Sequence, residues 1–457
     1  MNFSQINNVY FIGIGGIGMS ALARYFYSQG KTVSGYDKTQ TILTRSLEAE
    51  GIDVHYEDRG MDVLDEYSIK DTLVVYTPAV PEELGELKAF KEHGFDVIKR
   101  AKALGVISRE FETFAVAGTH GKTTTSTILA HVLNSTPEKC NAFIGGIAAN
   151  YESNCIINPG ADRIVVEADE FDRSFLHLKP DYTILTSMDS DHLDIYGDSS
   201  SLRKSFNEFI NLTKHGGTLM VNADVDISDF EFSTELRLIT YGIANHADYR
   251  LHAMKYEDGK FFFDILGMSE IYRNVEFGLP GQHNAENAVA VFGLCIQLGI
   301  PEQTIREAFA SFKGVRRRFD FRLRRDDITI IDDYAHHPSE IEAFLRSVRK
   351  LYPNRKITVV FQPHLYSRTR DFLEGFAESL ALADELYLLP IYPAREAPID
   401  GINSEVLLDM VNLDDKHLSS KEEIVSHIKN AENEVICVIG AGDIDTTVEP
   451  ITNLFMT

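Results

Sequence analysis

The stretch Val116-Ala-Gly-Thr-His-Gly-Lys-Thr-Thr-Thr125 decides how this chain is read. Apolar residues from Phe114 to Ala117 lead into it, and Ile128, Leu129, Val132 and Leu133 follow at helical spacing. That order is strand, glycine loop, helix. It aims several backbone N–H groups and a helix N-terminus at one point. A lysine and hydroxyls there (Lys122, Thr123, Thr124) suit a nucleotide phosphate and its magnesium ion. The full G-x-x-x-x-G-K-[ST] pattern needs glycine at position 116, where valine stands, so this is a shortened phosphate loop. The expected ATP-binding set here is Gly118, Thr119, His120, Gly121, Lys122, Thr123 and Thr124.

The same alternation of short apolar runs and helical patterns extends to both sides, which is the mark of parallel α/β layers. Val9–Ile12, Val33–Tyr36 and Leu73–Tyr76 read as strands before the loop. Ile164–Val166, Tyr182–Thr186 and Thr218–Val221 follow it, then a hairpin pattern from Leu251 to Phe263 and a helix over Asn284–Leu298. Further strands are expected at Ile328–Ile331, Ile357–Phe361, Leu386–Leu389 and Val435–Ile439, after an arginine-rich boundary at 313–327. A length of 457 residues exceeds one core and implies about three domains. We set them at 1–108, 109–313 and 314–457.

A formal charge of −25 disfavours nucleic acid or an anionic membrane as partner, so an anionic substrate must meet locally basic loops. Cys140, Cys155, Cys295 and Cys437 lie far apart with no metal spacing and read as reduced thiols. No run approaches ~20 apolar residues, so no membrane insertion is expected. The glycine-punctuated N-terminal run is a strand and turn rather than a signal peptide, and the expected location is cytoplasmic.

Several strand ends carry polar residues. Gly13-Ile-Gly-Gly-Ile-Gly18 follows the first strand, with Asp37 after the next, and fits a diphosphate ligand, either a dinucleotide or a UDP-sugar. Glu167 closes its strand in Glu167-Ala-Asp-Glu-Phe-Asp172 and is expected to hold a metal or orient water. Asp169, Glu170 and Asp172 cannot be ranked as firmly. His192, flanked by aspartates in Met188–Tyr196, suits a metal or a phosphate. His283-Asn-Ala-Glu-Asn287 opens a helix, where its amides fit an adenine edge or plain N-capping. One arginine of Arg316-Arg-Arg318 would complement transferring phosphate charge. Asp332–Pro338 and Phe361–Thr369 are expected to close adjacent strands and form one site wall, with buried capping networks as the competing account.

Taken in order, six motifs (Gly13–Ala21, Gly118–Thr125, Glu167–Asp172, Asp191–Asp194, His283–Asn287, Asp332–Pro338) resemble the ATP-dependent Mur ligases of peptidoglycan synthesis. The likeness spans essentially the whole chain. It implies a Rossmann-like N-terminal domain for a UDP-sugar, a central P-loop ATPase-type domain with a mostly parallel sheet, and a C-terminal Rossmann-like α/β domain for the amino acid. It implies that the lactyl carboxylate of UDP-N-acetylmuramate attacks the γ-phosphate of ATP, and that L-alanine then attacks the acyl phosphate. By resemblance, Lys122, Glu167, His192 and Arg318 are catalytic, while Thr123, Glu167 and His192 hold Mg²⁺. His283, Asn284 and Asn287 contact adenine, Asp333 the ATP ribose, Gly15, Gly16 and Asp37 the UDP moiety, and His336 and Arg368 the amino acid. The resemblance leaves a monomer or homodimer open and implies domain closure around ATP.

Two positions depart from the family. Leu365 stands where the alanine-adding enzymes usually carry the first arginine of His-Arg-Tyr-Thr-Arg-Thr, leaving Arg368, or Arg370 or Arg395, for the amino acid's carboxylate. Asn207 occupies the place of the carbamylated lysine of several sister ligases, which excludes that group here. The alternatives are a Mur-type ligase for another amino acid or a recycled peptide, a nicotinamide oxidoreductase, and an idle UDP-sugar-binding protein. The last two leave Lys122, Glu167 and His192 without work.

Overall fold

The computed structural model describes residues 3–189, 199–257, 260–394 and 396–456. The chain packs as two compact units, Met1–Met254 with Phe262–Phe277 and Glu286–Phe312, and Lys255–Phe261 with Gly278–Ala285 and Lys313–Thr457.

The first unit begins with β1 (Asn8–Ile12), β2 (Thr32–Tyr36), β3 (Asp53–His55), β4 (Thr72–Tyr76) and β5 (Asp96–Lys99). They form an all-parallel sheet in the order β3-β2-β1-β4-β5. Continuous apolar runs make these strands because both faces are covered; Val9, Phe11 and Ile12 have no exposed surface. The chain order reverses between β1 and β4, so the glycine loop after β1 leaves at the switch point, where open α/β sheets bind ligands. Helices α1 (Ile17–Ser28), α2 (Ile42–Ala49), α3 (Gly85–Glu92) and α4 (Arg100–Ser108) belong to this layer.

A ten-stranded sheet follows, in the same unit except for the end of β13 and the start of β14. Its strands are β6 (Glu112–Ala117), β7 (Asn141–Ala148), β8 (Ser153–Ile156), β9 (Arg163–Glu167), β10 (Tyr182–Leu185), β11 (Thr218–Asn222), β12 (Arg237–Gly242), β13 (Tyr249–Glu257), β14 (Lys260–Leu266) and β15 (Ile271–Phe277). The order is β15-β14-β13-β12-β11-β10-β6-β9-β7-β8, with β10, β6 and β9 adjacent and parallel. Helix α5 (Lys122–Asn134) follows β6, and Ile128, Leu129, Val132 and Leu133 are all fully buried on the sheet.

The second unit carries β16 (Asp320–Arg324), β17 (Thr329–Asp333), β18 (Ile357–Phe361), β19 (Glu385–Leu388), β20 (Lys416–Leu418) and β21 (Val435–Ile439). Their order is β16-β17-β21-β18-β19-β20. β21 lies between β17 and β18, so Asp332–Pro338 and Phe361–Thr369 do not close adjacent strands as expected. Ile328–Ile331 does not open this sheet, because Asp320–Arg324, inside the supposed boundary at 313–327, pairs antiparallel with β17 as an edge strand. Its alternation of Phe321 and Leu323 with Arg322 and Arg324 is a strand pattern that the arginines disguise. The described fold is α/β, built on three sheets of five, ten and six strands, the fold class that the resemblance implied. No helix among the described residues is long and apolar enough to cross a membrane.

Candidate active site

Three neighbouring strand ends build the centre of the first unit. The loop after β6 turns through Gly118 at φ +136° and Gly121 at φ +80°, both left-handed values that disfavour any side chain. A Cβ on Gly118 would stand 2.1 Å from the Thr186 hydroxyl, so glycine is also required by the close approach of the chain after β10. That chain braces the loop: Ser187 Oγ lies 2.9 Å from Thr119 Oγ1 and accepts from the His120 N–H at 2.8 Å. Asp189 N–H donates to Thr119 Oγ1 at 3.0 Å. His120 lies 3.5 Å from the Asp189 carboxylate. Thr123 and Thr124 open α5 as buried residues, and Asn287 Oδ1 would stand 2.9 Å from a Cβ on Gly121.

Lys122 is folded onto this loop. Its ammonium donates to Gly118 O at 2.6 Å and to Glu170 Oε1 at 2.8 Å. Burial alone would push its pKa down, but the carboxylates of Glu170, Asp169 and Glu167 outweigh burial and hold it above the usual lysine value. The lysine is a fixed positive charge. Glu167, at the end of β9, accepts from Thr123 Oγ1 at 3.1 Å and from Gly145 N–H at 2.9 Å. A hydroxyl and a carboxylate side by side at the helix start are hard oxygen donors, the set that suits Mg²⁺. His192, with Asp191 and Asp194, lies outside the described residues, as does Arg395.

The sequence ranked Glu167 first among the acids and could not place Glu170, which is fully buried and takes the lysine. Asp172 and Arg173 both sit at left-handed φ (52° and 53°), a turn that no residue type announces and that spreads the acids toward different partners. Gly145 also went unrecognised. A Cβ there would meet Glu167 Oε2 at 2.4 Å, and the glycine pair after Phe143-Ile144 was the available signal.

In the first sheet, Asp37 is turned back onto the glycine loop. Its Oδ2 accepts from Gly15 N–H at 2.8 Å and its Oδ1 from Thr39 N–H at 3.1 Å. A side chain on Gly15 would strike Thr44 and Asp37, whereas Gly16 caps α1 in extended conformation. Asn207 lies in the helix Ser199–Ile210, where its carbonyl and Oδ1 accept from Asn211 Nδ2.

The second unit gathers the remaining candidates. His283 is pushed down to a pKa of about 4, first by burial and then by Arg318, against the pull of Glu340, so its imidazole is neutral. Asn284 spends its amide N–H on Pro280 O at 2.7 Å. The Arg318 guanidinium lies 4.9 Å over the Tyr334 ring. Asp333, at the end of β17, accepts from Phe319 N–H at 2.7 Å and Ala335 N–H at 2.8 Å, and burial raises its pKa to about 6. His336 Nδ1 is 3.0 Å from Tyr334 O, which fixes the proton on Nδ1 and leaves Nε2 as an acceptor. Burial lowers its pKa, with Arg368 close enough to lower it further. Leu365 occupies φ +69°, and Arg370 is exposed and bound to Asp371 at 2.7 Å.

Models of the Mur ligase family match the chain in three places: the family's catalytic domain at residues 8–112, the middle domain at 116–295 and the glutamate ligase domain at 317–442. The chain is similar to the UDP-N-acetylmuramate–L-alanine ligase of Flavobacterium johnsoniae, 48% identical over 454 residues and 99% of both chains. It is likewise similar to that of Flavobacterium psychrophilum, 50% identical over 448 residues and 98% of both. Among solved structures, the UDP-N-acetylmuramate–alanine ligase of Thermotoga maritima superposes with a TM-score of 0.83 at 29% identity, covering 98% of each chain. A murein peptide ligase of Psychrobacter arcticus shares the fold, with a TM-score of 0.70 at 21% identity and 98% of each chain covered.

Proposed function

The chain belongs to the Mur ligase family, and from that premise we propose that it joins L-alanine to the lactyl carboxylate of UDP-N-acetylmuramate, driven by ATP. The observation that carries this reading is the shortened phosphate loop with Lys122 locked by Glu170 beside the Thr123–Glu167 pair.

A carboxylate resists attack by an amine until one oxygen becomes a good leaving group, and phosphorylation makes it one. Two polyanions must approach for that, so fixed positive charge is required. Lys122 supplies it on the phosphate loop, and Arg318 is assigned to the transferring group. Thr123 and Glu167, with His192, would hold Mg²⁺, which would neutralise phosphate charge when bound. Gly118, Thr119, His120, Gly121 and Thr124 are assigned to the phosphates, the Thr119 and His120 N–H groups being held by Ser187, while His283, Asn284, Asn287 and Asp333 serve the nucleoside. Gly15 and Gly16 take the UDP diphosphate on a loop that Asp37 holds in shape. Arg368 pairs with the carboxylate of L-alanine, and the Nε2 of His336 accepts a proton from its ammonium, which frees the amine to attack. The tetrahedral intermediate then expels phosphate.

Domains at 1–108, 109–313 and 314–457 carry the UDP-sugar, ATP and amino acid respectively. A cytoplasmic monomer or homodimer completes the reading. ADP release with UDP-N-acetylmuramate, compared for L-alanine, glycine, L-serine and a murein tripeptide, tests it. L-alanine must give the highest kcat/KM, and preference for the peptide would sink the assignment.

A further inference from the structure

The acids of the loop after β9 face different partners, and two of those partners come from the sheet that carries the glycine loop. Glu170 holds Lys122 and Glu167 holds Thr123, while Asp169 accepts from Arg100 Nη2 at 3.2 Å and Asp172 from Lys99 at 2.8 Å. Arg100 opens α4, and the same guanidinium covers Gly18 in the first turn of α1. A Cβ on Gly18 would stand 2.5 Å from Arg100 Nη1. Only a glycine lets the arginine lie across the start of the helix that the glycine loop feeds. Helix α4 is also seated directly on the continuation of the acidic loop, because Gly105 would place a Cβ 2.5 Å from His177 O. A continuous path of packed groups therefore runs from the glycine loop through Arg100, Asp169 and Glu170 to Lys122.

We propose that Arg100 is a positioning residue that couples the two nucleotide sites: it keeps Asp169 through Nη2 and gives its remaining N–H donors to an anionic oxygen of the sugar nucleotide. A guanidinium offers five donors in a rigid fork and can serve two anions at once, which a lysine cannot do in the same geometry. With the fork engaged on both sides, the acidic loop that fixes Lys122 is held in its working arrangement. Each nucleotide then binds more tightly when the other is present, and linkage makes the effect reciprocal. The inference rests on the reading that the glycine loop takes a UDP-sugar.

Calorimetric titration of UDP-N-acetylmuramate, with and without a non-hydrolysable ATP analogue and Mg²⁺, tests the coupling on the wild-type protein, R100A, R100K and D169N. The wild type is expected to bind the sugar nucleotide about fivefold or more tightly with the analogue present. R100A loses about tenfold or more in sugar-nucleotide affinity and its coupling ratio falls to one, while R100K recovers part of the affinity and little of the coupling. D169N keeps the uncoupled affinity and loses the coupling, a split that a purely structural role would not give; it decides the matter if R100A does not fold. Wild-type affinity and an undiminished coupling ratio in both R100A and D169N overturn the proposal alone. A wild-type protein that ignores UDP-N-acetylmuramate overturns the substrate reading and this inference together.

Discussion

Lys122 and Glu170 form an ion pair in which the carboxylate has no exposed surface, so removing the lysine has two separable consequences. Lys122→Ala strands a buried carboxylate at a cost of about 3–5 kcal/mol in stability and removes the phosphate cation. Lys122→Ala combined with Glu170→Gln should recover most of the stability, yet its turnover should stay at least ~100-fold below wild type. Chemical denaturation and ADP release read the two effects, and near-normal turnover in the double variant contradicts the assigned role. Asp332 gives a pH test. It is 2% exposed, its Oδ1 has no hydrogen-bond partner, and burial, with Asp320 and Asp333 nearby, raises its pKa to about 7 despite Arg317. A carboxyl held above its unfolded pKa favours the folded state only while protonated. Its ionisation therefore lowers stability as pH climbs from about 4 to 7. Asp332→Asn should gain on wild type between pH 5 and pH 8; parallel stability curves would refute this.

Among elements, the legible ones were strands buried on both faces. β1, β6, β9, β10, β18 and β21 announced themselves as apolar runs, and the polar residues closing them marked the site. Edge, short and interrupted strands stayed hidden: β3 (Asp53–His55) and β20 (Lys416–Leu418) are three residues each, β16 carries arginines, and β7 is interrupted by its glycine pair. The phosphate loop was readable because all its chemistry is local. Gly145 and Arg100 were not, since each reaches the acidic loop from a distant part of the sequence. Gly145 is exposed and has no left-handed φ, so Gly145→Ala should fold normally. Its methyl must displace Glu167 from Thr123, and kcat/KM for ATP should fall about tenfold or more while the melting temperature barely moves. An unchanged kcat/KM would detach Glu167 from ATP handling.

At the scale of the whole molecule, a chain of charge −25 takes polyanions by concentrating cations at a few loops rather than by its overall field. Binding there should therefore depend on counter-charge supplied with the ligand. An ATP analogue at ~100 times its Kd should stabilise the protein by about 2.7 kcal/mol, visible as a rise in the midpoint of the unfolding transition assigned to the first unit. Chelating magnesium with EDTA should erase most of that rise; if the analogue stabilises equally without the metal, Thr123 and Glu167 do not hold it.

If the sugar's own carboxylate is the group that ATP activates, one of its oxygens must pass into inorganic phosphate, and isotope tracing follows that oxygen. UDP-N-acetylmuramate labelled with oxygen-18 in both lactyl carboxylate oxygens is turned over with ATP and L-alanine, and the inorganic phosphate is analysed by mass. One labelled oxygen per turnover should appear in the phosphate, with the other retained in the new amide. Phosphate free of label would mean that the lactyl carboxylate is never phosphorylated.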